Sequence, residues 1–227
     1  MKFIRISIIL ILLLILAVLI TLFIQNQTSD IVSEIKNPVK EVTAIAVTID
    51  LCPSSKPFNK ELFDYLDSLS KKLGYPIPVA ICPSGTWILK HSDELAKIKG
   101  LDLNITWVNH SYSHPIDHDF LNNPKVNFKY EVEENLKVFQ NYGLIPSKYF
   151  RFPGVRSNRK RLKELEEMGC IPLGANAWLA KGQKIKNGSI ILVHGNGNEP
   201  QGCVMLIQYL NEHEQELIDG KIKIISI

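Results

Sequence analysis

The chain has 227 residues, of which 45% are hydrophobic and 22% are charged, and its formal net charge at pH 7 is +3. This composition is that of a globular protein and excludes a disordered chain, and the length suits one sizeable domain. Because basic and acidic residues are nearly balanced and form no stripe interleaved with aromatic residues, nucleic acid is excluded as a partner.

An uncharged apolar segment over residues 6–24 comes first in chain order, after Lys2 and Arg5. At about 1.5 Å per residue, such a helix spans nearly the ~30 Å hydrocarbon core of a membrane. The basic residues favour a cytoplasmic N-terminus for residues 1–5 and export of the remainder. A cleaved signal peptide is the alternative, but its apolar region would be shorter and a small-residue cleavage site would follow. We therefore predict a transmembrane helix that holds a single-pass protein in the cell membrane, with its folded domain on the extracytoplasmic side.

Strands and helices are predicted to alternate after a polar linker over residues 25–42. Apolar runs rich in β-branched and aromatic residues predict strands over residues 43–50, 77–82, 103–108, 148–152, 170–176, 189–194 and 221–225. Amphipathic spacing and capping residues predict helices over residues 59–74, 92–98, 130–142, 158–169 and 204–217. This alternation predicts an α/β domain over residues 43–227 with a mostly parallel sheet, covered by helices or closed into a barrel.

Polar side chains with catalytic or metal-binding chemistry lie at the carboxyl ends of these strands, where parallel α/β folds place their active sites. They are Asp50, His110, His114, Arg151, Asn176 and His194. His110 and His114 are four residues apart, a spacing that lets both imidazoles reach one divalent metal ion. Chance spacing of two histidines is the alternative, but the placement of all these residues at one end of successive strands favours a site.

The four cysteines are predicted to lie in an oxidising compartment. They are Cys52, Cys82, Cys170 and Cys203. Four cysteines allow three disulfide pairings, and four small buried thiols are the alternative. We predict a disulfide between Cys52 and Cys82, because both follow strands that are expected to be neighbours and both lie at the same end.

Five segments resemble the motifs of a known family, and together they extend over the whole predicted domain. They are Thr48–Ser54, His110–His114, Arg151–Gly154 with Asn158, Ala175–Trp178, and Ile191–His194. The first resembles T-F-D-D-G-P, the second matches H-[ST]-x-x-H, and the third resembles an arginine and a proline followed by a loop asparagine. The fourth resembles an aspartate with a tryptophan, and the fifth a closing histidine. The domain therefore resembles the polysaccharide deacetylase family, which includes chitin and peptidoglycan N-deacetylases.

The resemblance implies a distorted (β/α) barrel of about seven parallel strands. It also implies a metal-dependent hydrolase that removes acetyl groups from N-acetylated sugars of a cell-wall polysaccharide such as peptidoglycan. By the same resemblance His110 and His114 hold a divalent metal, usually zinc, while Asp50 is the general base and His194 the general acid. Arg151 would keep the carboxylate ionised and oriented through its forked donors. The implied substrate-binding residues are Pro153, Asn158 and Trp178.

Two positions depart from the family pattern. Leu51 stands where the family has a metal-ligating aspartate, and Asn176 stands where it has an aspartate that tunes the acid histidine. Cys52 is another candidate ligand, although the glycine it replaces in the family pattern is not one. The resemblance implies that an aspartate at position 51 would tighten metal binding. The alternative function is a catalytically impaired relative that binds glycan or a partner protein.

Overall fold

The computed structural model describes residues 18–22, 42–116 and 121–227. Residues 18–22 are helical, and a compact unit spans Val42–Ile227. No helix in these ranges is long and apolar enough to cross a membrane. The anchor predicted over residues 6–24 and the linker predicted over residues 25–42 fall almost wholly outside the described residues, so both stay predictions.

Eight parallel strands form one sheet in the described part of the chain. They are β1 (Thr43–Leu51), β2 (Ile77–Pro83), β3 (Leu103–Asn109), β4 (Pro146–Phe150), β5 (Ile171–Pro172), β6 (Ala177–Trp178), β7 (Ser189–His194) and β8 (Ile222–Ile224). Seven of them follow the order β5-β4-β3-β2-β1-β7-β6 in a curled half-barrel, and β8 pairs with the beginning of β1. The predicted α/β fold with about seven parallel strands is thereby confirmed.

Helices connect most of these strands. They are α1 (Lys60–Leu73), α2 (Gly85–Lys90), α3 (Ser92–Lys99), α4 (Phe128–Asn141), α5 (Arg159–Glu167), α6 (Pro200–Glu212) and α7 (Glu214–Ile218). Helix α1 buries Leu62, Phe63, Leu66 and Leu69, which lie on one face because they are three or four residues apart. The helix ends at Gly74, whose φ of 77° is left-handed and suits glycine.

Strand β1 lies at the centre of the sheet, with β2 on one side and β7 on the other. Ile49 and Leu51 are fully buried in the main hydrophobic core, and Asp50 between them points to the opposite face because strand side chains alternate. In register, Asp50 is opposite Cys82 of β2 and His194 of β7. The ends of three strands therefore meet around one carboxylate.

The strand predicted over residues 170–176 is interrupted in the structure. Strand β5 pairs with β4, whereas β6 pairs with β7 at the other edge of the sheet. Between them, the side chain of Asn176 accepts from the Ile190 N–H at 2.7 Å and donates to the Gly188 carbonyl at 3.3 Å. The Leu173 N–H still donates to the Phe150 carbonyl of β4 at 2.8 Å. The chain therefore crosses from one edge of the half-barrel to the other at this point.

The start and end of two helices also differ from the prediction. The segment predicted over residues 204–217 begins at Pro200, whose fixed φ suits a first helical turn, and it divides into α6 and α7 at His213. Asn59, which is predicted to cap α1, makes no capping hydrogen bond. Its Oδ1 accepts from the Gly197 N–H at 2.7 Å instead, so this side chain joins the loop after β7 to the start of α1.

The short helix α2, between β2 and α3, is not predicted from the sequence.

Candidate active site

Asp50 is the buried carboxylate around which the site is built, and its side chain is 3% exposed. Its Oδ1 lies 3.5 Å from Nη1 of Arg151, and its Oδ2 lies 3.6 Å from Nε2 of His110. Burial alone would raise the pKa of Asp50, but the charge of Arg151 and the imidazoles of His110 and His194 together hold it below its ordinary value. The carboxylate therefore stays ionised and able to accept a proton.

Arg151 follows β4 and is completely buried. Its Nη2 donates to Oγ1 of Thr48 at 2.9 Å and to the Gly174 carbonyl at 3.3 Å. The Thr48 hydroxyl in turn donates to the Ile191 carbonyl at 2.6 Å. These bonds fix the guanidinium beside Asp50, as the resemblance implies for an orienting cation.

His110 has a defined tautomer. Its Nδ1 lies 2.8 Å from the Arg151 carbonyl oxygen, which can only accept, so Nδ1 carries the proton. Burial lowers the pKa of His110, so the ring is neutral and Nε2 holds a lone pair. This lone pair faces Sγ of Cys52 at 3.5 Å as well as Asp50. A neutral imidazole fixed through its other nitrogen is the form that binds a metal ion.

His114 completes the predicted pair. Its ring centroid lies 4.6 Å from that of His110, edge to face. Burial, followed by the proximity of His110, lowers the pKa of His114 to about 3, so this ring is also neutral. Its Nε2 is buried and has no hydrogen-bond partner among the described residues. The two rings therefore lie together, and their role as ligands of one metal ion stays a prediction.

The loop that carries both histidines is tight and well supported. Ser111 and His114 have positive φ values of 63° and 54°, which non-glycine residues adopt only when their surroundings impose it. Glu131 of α4 accepts from the Ser113 N–H at 2.8 Å and from its hydroxyl at 2.6 Å. Asn109 accepts from the Ser111 N–H at 3.0 Å. Helix α4 and the end of β3 thus hold the imidazoles in place.

Cys52 joins the histidine pair. The donor atoms of Cys52, His110 and His114 all lie within 4.8 Å of one another. Nitrogen and sulfur donors in this number are the set that zinc prefers, and the unpartnered Nε2 of His114 is the orphaned atom that such an ion would satisfy. The residues present therefore fit a divalent metal.

The disulfide predicted between Cys52 and Cys82 does not form. All four cysteines are free thiols. The two thiols have separate partners, since Cys52 contacts His110 and Cys82 donates to Asp50. The alternative of buried thiols agrees with the structure for Cys52, Cys82 and Cys203, whereas Cys170 is half-buried.

Leu51 lies away from these polar groups. A Cβ built on Gly195 would meet Cγ2 of Ile49 at 2.8 Å, Cε2 of Phe63 at 3.0 Å and Cδ2 of Leu51 at 3.1 Å. The three side chains therefore surround one point on the helix-covered face of β1. Position 51 faces the hydrophobic core, and Asp50 faces the site.

His194 ends β7 and has an acidic neighbour that the sequence analysis does not identify. Its Nδ1 lies 2.8 Å from Oε2 of Glu199, within ion-pair distance although not in hydrogen-bond alignment. The same oxygen accepts from Nε1 of Trp178 at 2.7 Å, and the Trp178 ring lies 5.4 Å from that of His194. Asn176, at the position that the resemblance assigns to a tuning aspartate, instead bonds to the backbone at the start of β7.

The three implied substrate-binding residues lie in different surroundings. Trp178 is beside His194, and Nζ of Lys181 lies 3.3 Å from the centre of its ring. Pro153 is buried in a short 3-10 turn shortly after Arg151. Asn158 accepts from the Arg161 N–H at 2.9 Å as the cap of α5 and donates to the Leu121 carbonyl at 3.1 Å. Their roles toward a substrate stay predictions.

Two supporting residues are missed by sequence reasoning. Glu199 directly precedes α6, and an acid at a helix N-terminus is a signal that could have identified it. Asn196 is completely buried and donates to the Cys52 carbonyl at 2.8 Å, so it holds the loop that carries this thiol. The run Gly195–Asn198 resembles an ordinary turn in the sequence, which hides this role.

A family model described as polysaccharide deacetylase matches residues 37–172. A solved family 4 carbohydrate esterase from Bacillus anthracis is 22% identical, with a TM-score of 0.59 over 82% of this chain and 80% of that one. The Bc1960 peptidoglycan N-acetylglucosamine deacetylase is 18% identical, with a TM-score of 0.60 over 81% and 86%. A mutant of a Bacillus anthracis pseudoenzyme with restored enzymatic activity is 14% identical, with a TM-score of 0.57 over 83% and 67%. At these identities, the likeness to the solved structures shows a shared fold.

Proposed function

The chain belongs to the polysaccharide deacetylase family, and we propose that its domain is a metal-dependent hydrolase that removes acetyl groups from N-acetylated sugars of a cell-wall polysaccharide such as peptidoglycan. The observation that carries this proposal is the meeting of Asp50, His110 and His194 at the carboxyl ends of β1, β3 and β7. A domain that only binds glycan needs no buried, ionised carboxylate beside neutral imidazoles. The likeness to a peptidoglycan N-acetylglucosamine deacetylase supports the substrate class.

His110 and His114 would hold the divalent ion through their Nε2 atoms, and zinc suits such donors. The fixed tautomer of His110 and the unpartnered nitrogen of His114 support this assignment. When bound, such an ion supplies Lewis acidity that polarises an amide carbonyl and lowers the pKa of a nearby water molecule.

Asp50 and His194 divide the proton transfers between them. Asp50 accepts a proton from the attacking water, because its lowered pKa keeps it ionised near neutral pH. His194 gives a proton to the departing amine as the C–N bond breaks, so acetate and a free amine are formed. Arg151 holds the carboxylate in position. The Glu199 carboxylate lies beside Nδ1 of His194 and would hold the imidazolium through that nitrogen, so the N–H of Nε2 is the one that faces the departing amine.

We also propose that the protein is held in the cell membrane by residues 6–24, with the catalytic domain on the extracytoplasmic side. The uncharged length of this segment and the basic residues before it support the proposal. A cell-wall polymer lies on that side of the membrane, so the location agrees with the proposed substrate.

A catalytically impaired glycan-binding protein is the second candidate. The observation that favours it is Leu51, which faces the core and offers no carboxylate to a metal ion. The structural likeness to a family pseudoenzyme also supports this second candidate.

Acetate release separates the two candidates. The zinc-loaded protein is incubated with N-acetylglucosamine oligomers and with peptidoglycan, and binding of the same glycans is measured in parallel. The hydrolase is expected to release acetate from at least one of them. Glycan binding without acetate release from any of them would establish the second candidate instead.

A further inference from the structure

The third member of the metal-binding group is a cysteine. Sγ of Cys52 lies 3.5 Å from Nε2 of His110 and belongs to the group whose donor atoms are within 4.8 Å of one another. The group does not include Asp50, although its carboxylate is close to His110. The atom that lies close to a ring nitrogen of both His110 and His114 is therefore the sulfur of Cys52, and not a carboxylate oxygen of Asp50.

The backbone around Cys52 is built to keep the thiol there. The buried Asn196 donates to the Cys52 carbonyl at 2.8 Å. Asn198 in turn donates to Asn196 Oδ1 through its backbone N–H at 3.2 Å. The Cys52 side chain is buried, and the loop after β7 restrains the turn that follows β1. The loop after β7, rather than β1 itself, therefore holds the backbone of Cys52 in place.

We propose that Cys52, as a thiolate, is the third protein ligand of the metal site and replaces the carboxylate that Leu51 cannot supply. The proposal rests on the metal site of the proposed function. Binding exchanges the thiol proton for the metal ion, so the S–H bond breaks, a sulfur–metal bond forms and the proton goes to solvent. A sulfur ligand with two imidazoles selects thiophilic ions such as zinc, cobalt and cadmium over magnesium and manganese.

Cobalt titration tests the ligand directly, because a thiolate–cobalt bond gives a near-ultraviolet charge-transfer band that imidazole and carboxylate ligands do not. The wild-type protein and the matched control Cys170→Ser, whose half-buried thiol lies outside the group, are expected to show this band. Cys52→Ser should lose it and should bind cobalt more weakly. The loss of affinity should exceed the roughly 10–100-fold that removal of a supporting residue costs. Cys52→Asp should bind cobalt without the band.

The result that overturns the proposal is cobalt binding by the wild type without the band, or no cobalt binding at all. Retention of the band in Cys52→Ser would overturn it equally. If Cys52→Ser fails to fold, Cys52→Asp decides the outcome, because retention of the band in that variant would also overturn the proposal. A wild type that shows the band but releases no acetate upholds the ligand assignment and refutes the hydrolase.

Discussion

At the scale of single residues, His114 makes the metal-free domain sensitive to acid. The pKa of His114 is lowered from 6.5 to about 3 by burial and by His110. The folded state therefore binds this proton less readily than the unfolded state does. Its contribution to stability is fully present above pH 6.5 and is lost as the pH falls from 6.5 toward 3. Burial lowers the pKa of His110 as well, which acts in the same direction.

Urea unfolding of the metal-free protein across this pH window measures the effect. The free energy of unfolding is expected to fall by about 1.4 kcal/mol per pH unit for each such histidine. His114→Gln should show a shallower slope than the wild type. Parallel slopes for His114→Gln and the wild type would show that His114 titrates normally in the folded protein.

Glu199, and not Asn176, is predicted to influence the His194 ring and the rate of deacetylation. Glu199→Gln keeps the size of the side chain but removes the charge beside His194, so the preference of the ring for a proton on Nδ1 should weaken. The expected fall is in kcat, with KM nearly unchanged, and Glu199→Asp should recover part of it. Nitrogen NMR shifts of the His194 ring report the tautomer independently of activity.

Asn176→Asp provides the matched comparison. The Asn176 side chain accepts from Ile190 and donates to Gly188, so the added charge lies at the start of β7, away from His194 at its end. This variant should not compensate for Glu199→Gln. Restoration of activity in the double variant would show that Asn176 retains the tuning role that the family resemblance implies.

At the scale of elements, the two faces of β1 separate the core from the site. The resemblance implies that Leu51→Asp tightens metal binding, but the structure predicts the opposite because Leu51 packs with Ile49 and Phe63. The buried carboxylate should cost at least the roughly 2–5 kcal/mol typical of truncating a buried leucine. Urea unfolding measures the loss, and a cobalt titration measures the affinity.

Leu162→Asp on α5 is the control, because Leu162 is 37% exposed and a surface change usually costs no more than about 0.5 kcal/mol. Tighter cobalt binding by Leu51→Asp, with stability preserved, would mean that position 51 turns toward the metal after all.

The elements also show which parts of the structure a sequence can predict. Apolar runs and their periodicity depend on neighbouring residues, so the central strands and α1 are predicted closely. The split of residues 170–176 depends on Asn176 bonding to another strand, which a local pattern does not record. Asn59 likewise bonds to Gly197 rather than to its own helix.

At the scale of the whole molecule, the site unites segments that are far apart in the chain. Asp50, His110 and His194 could be predicted because parallel strands align their carboxyl ends at one edge. The role of Glu199 could not be predicted, because it depends on how the loop after β7 returns over that edge. Cys52 could be named from the sequence as a candidate ligand, but its position beside the histidines depends on the same loop. The motif resemblance even pointed away from Cys52, since the residue it replaces is a glycine.

The location of the protein is also a prediction at this scale. Residues 6–24 are expected to remain uncleaved and to hold the full-length chain in the membrane. Cell fractionation should find it there, and a protease added from outside should degrade the domain. A soluble exported form that begins near residue 25 would identify the segment as a cleaved signal peptide.

The central claim is that Asp50 and His194 act as base and acid in one deacetylation reaction. The most direct measurement is the rate of acetate release from N-acetylglucosamine oligomers by the zinc-loaded wild type, Asp50→Asn and His194→Ala. His213→Ala, partly exposed on another part of the domain, serves as the control. Each of the first two changes should lower kcat by roughly 10²–10⁴-fold, the usual contribution of a positioned acid or base, and the control should retain the wild-type rate. Equal rates in the wild type and Asp50→Asn, or no release by the wild type on any acetylated glycan, would contradict the account.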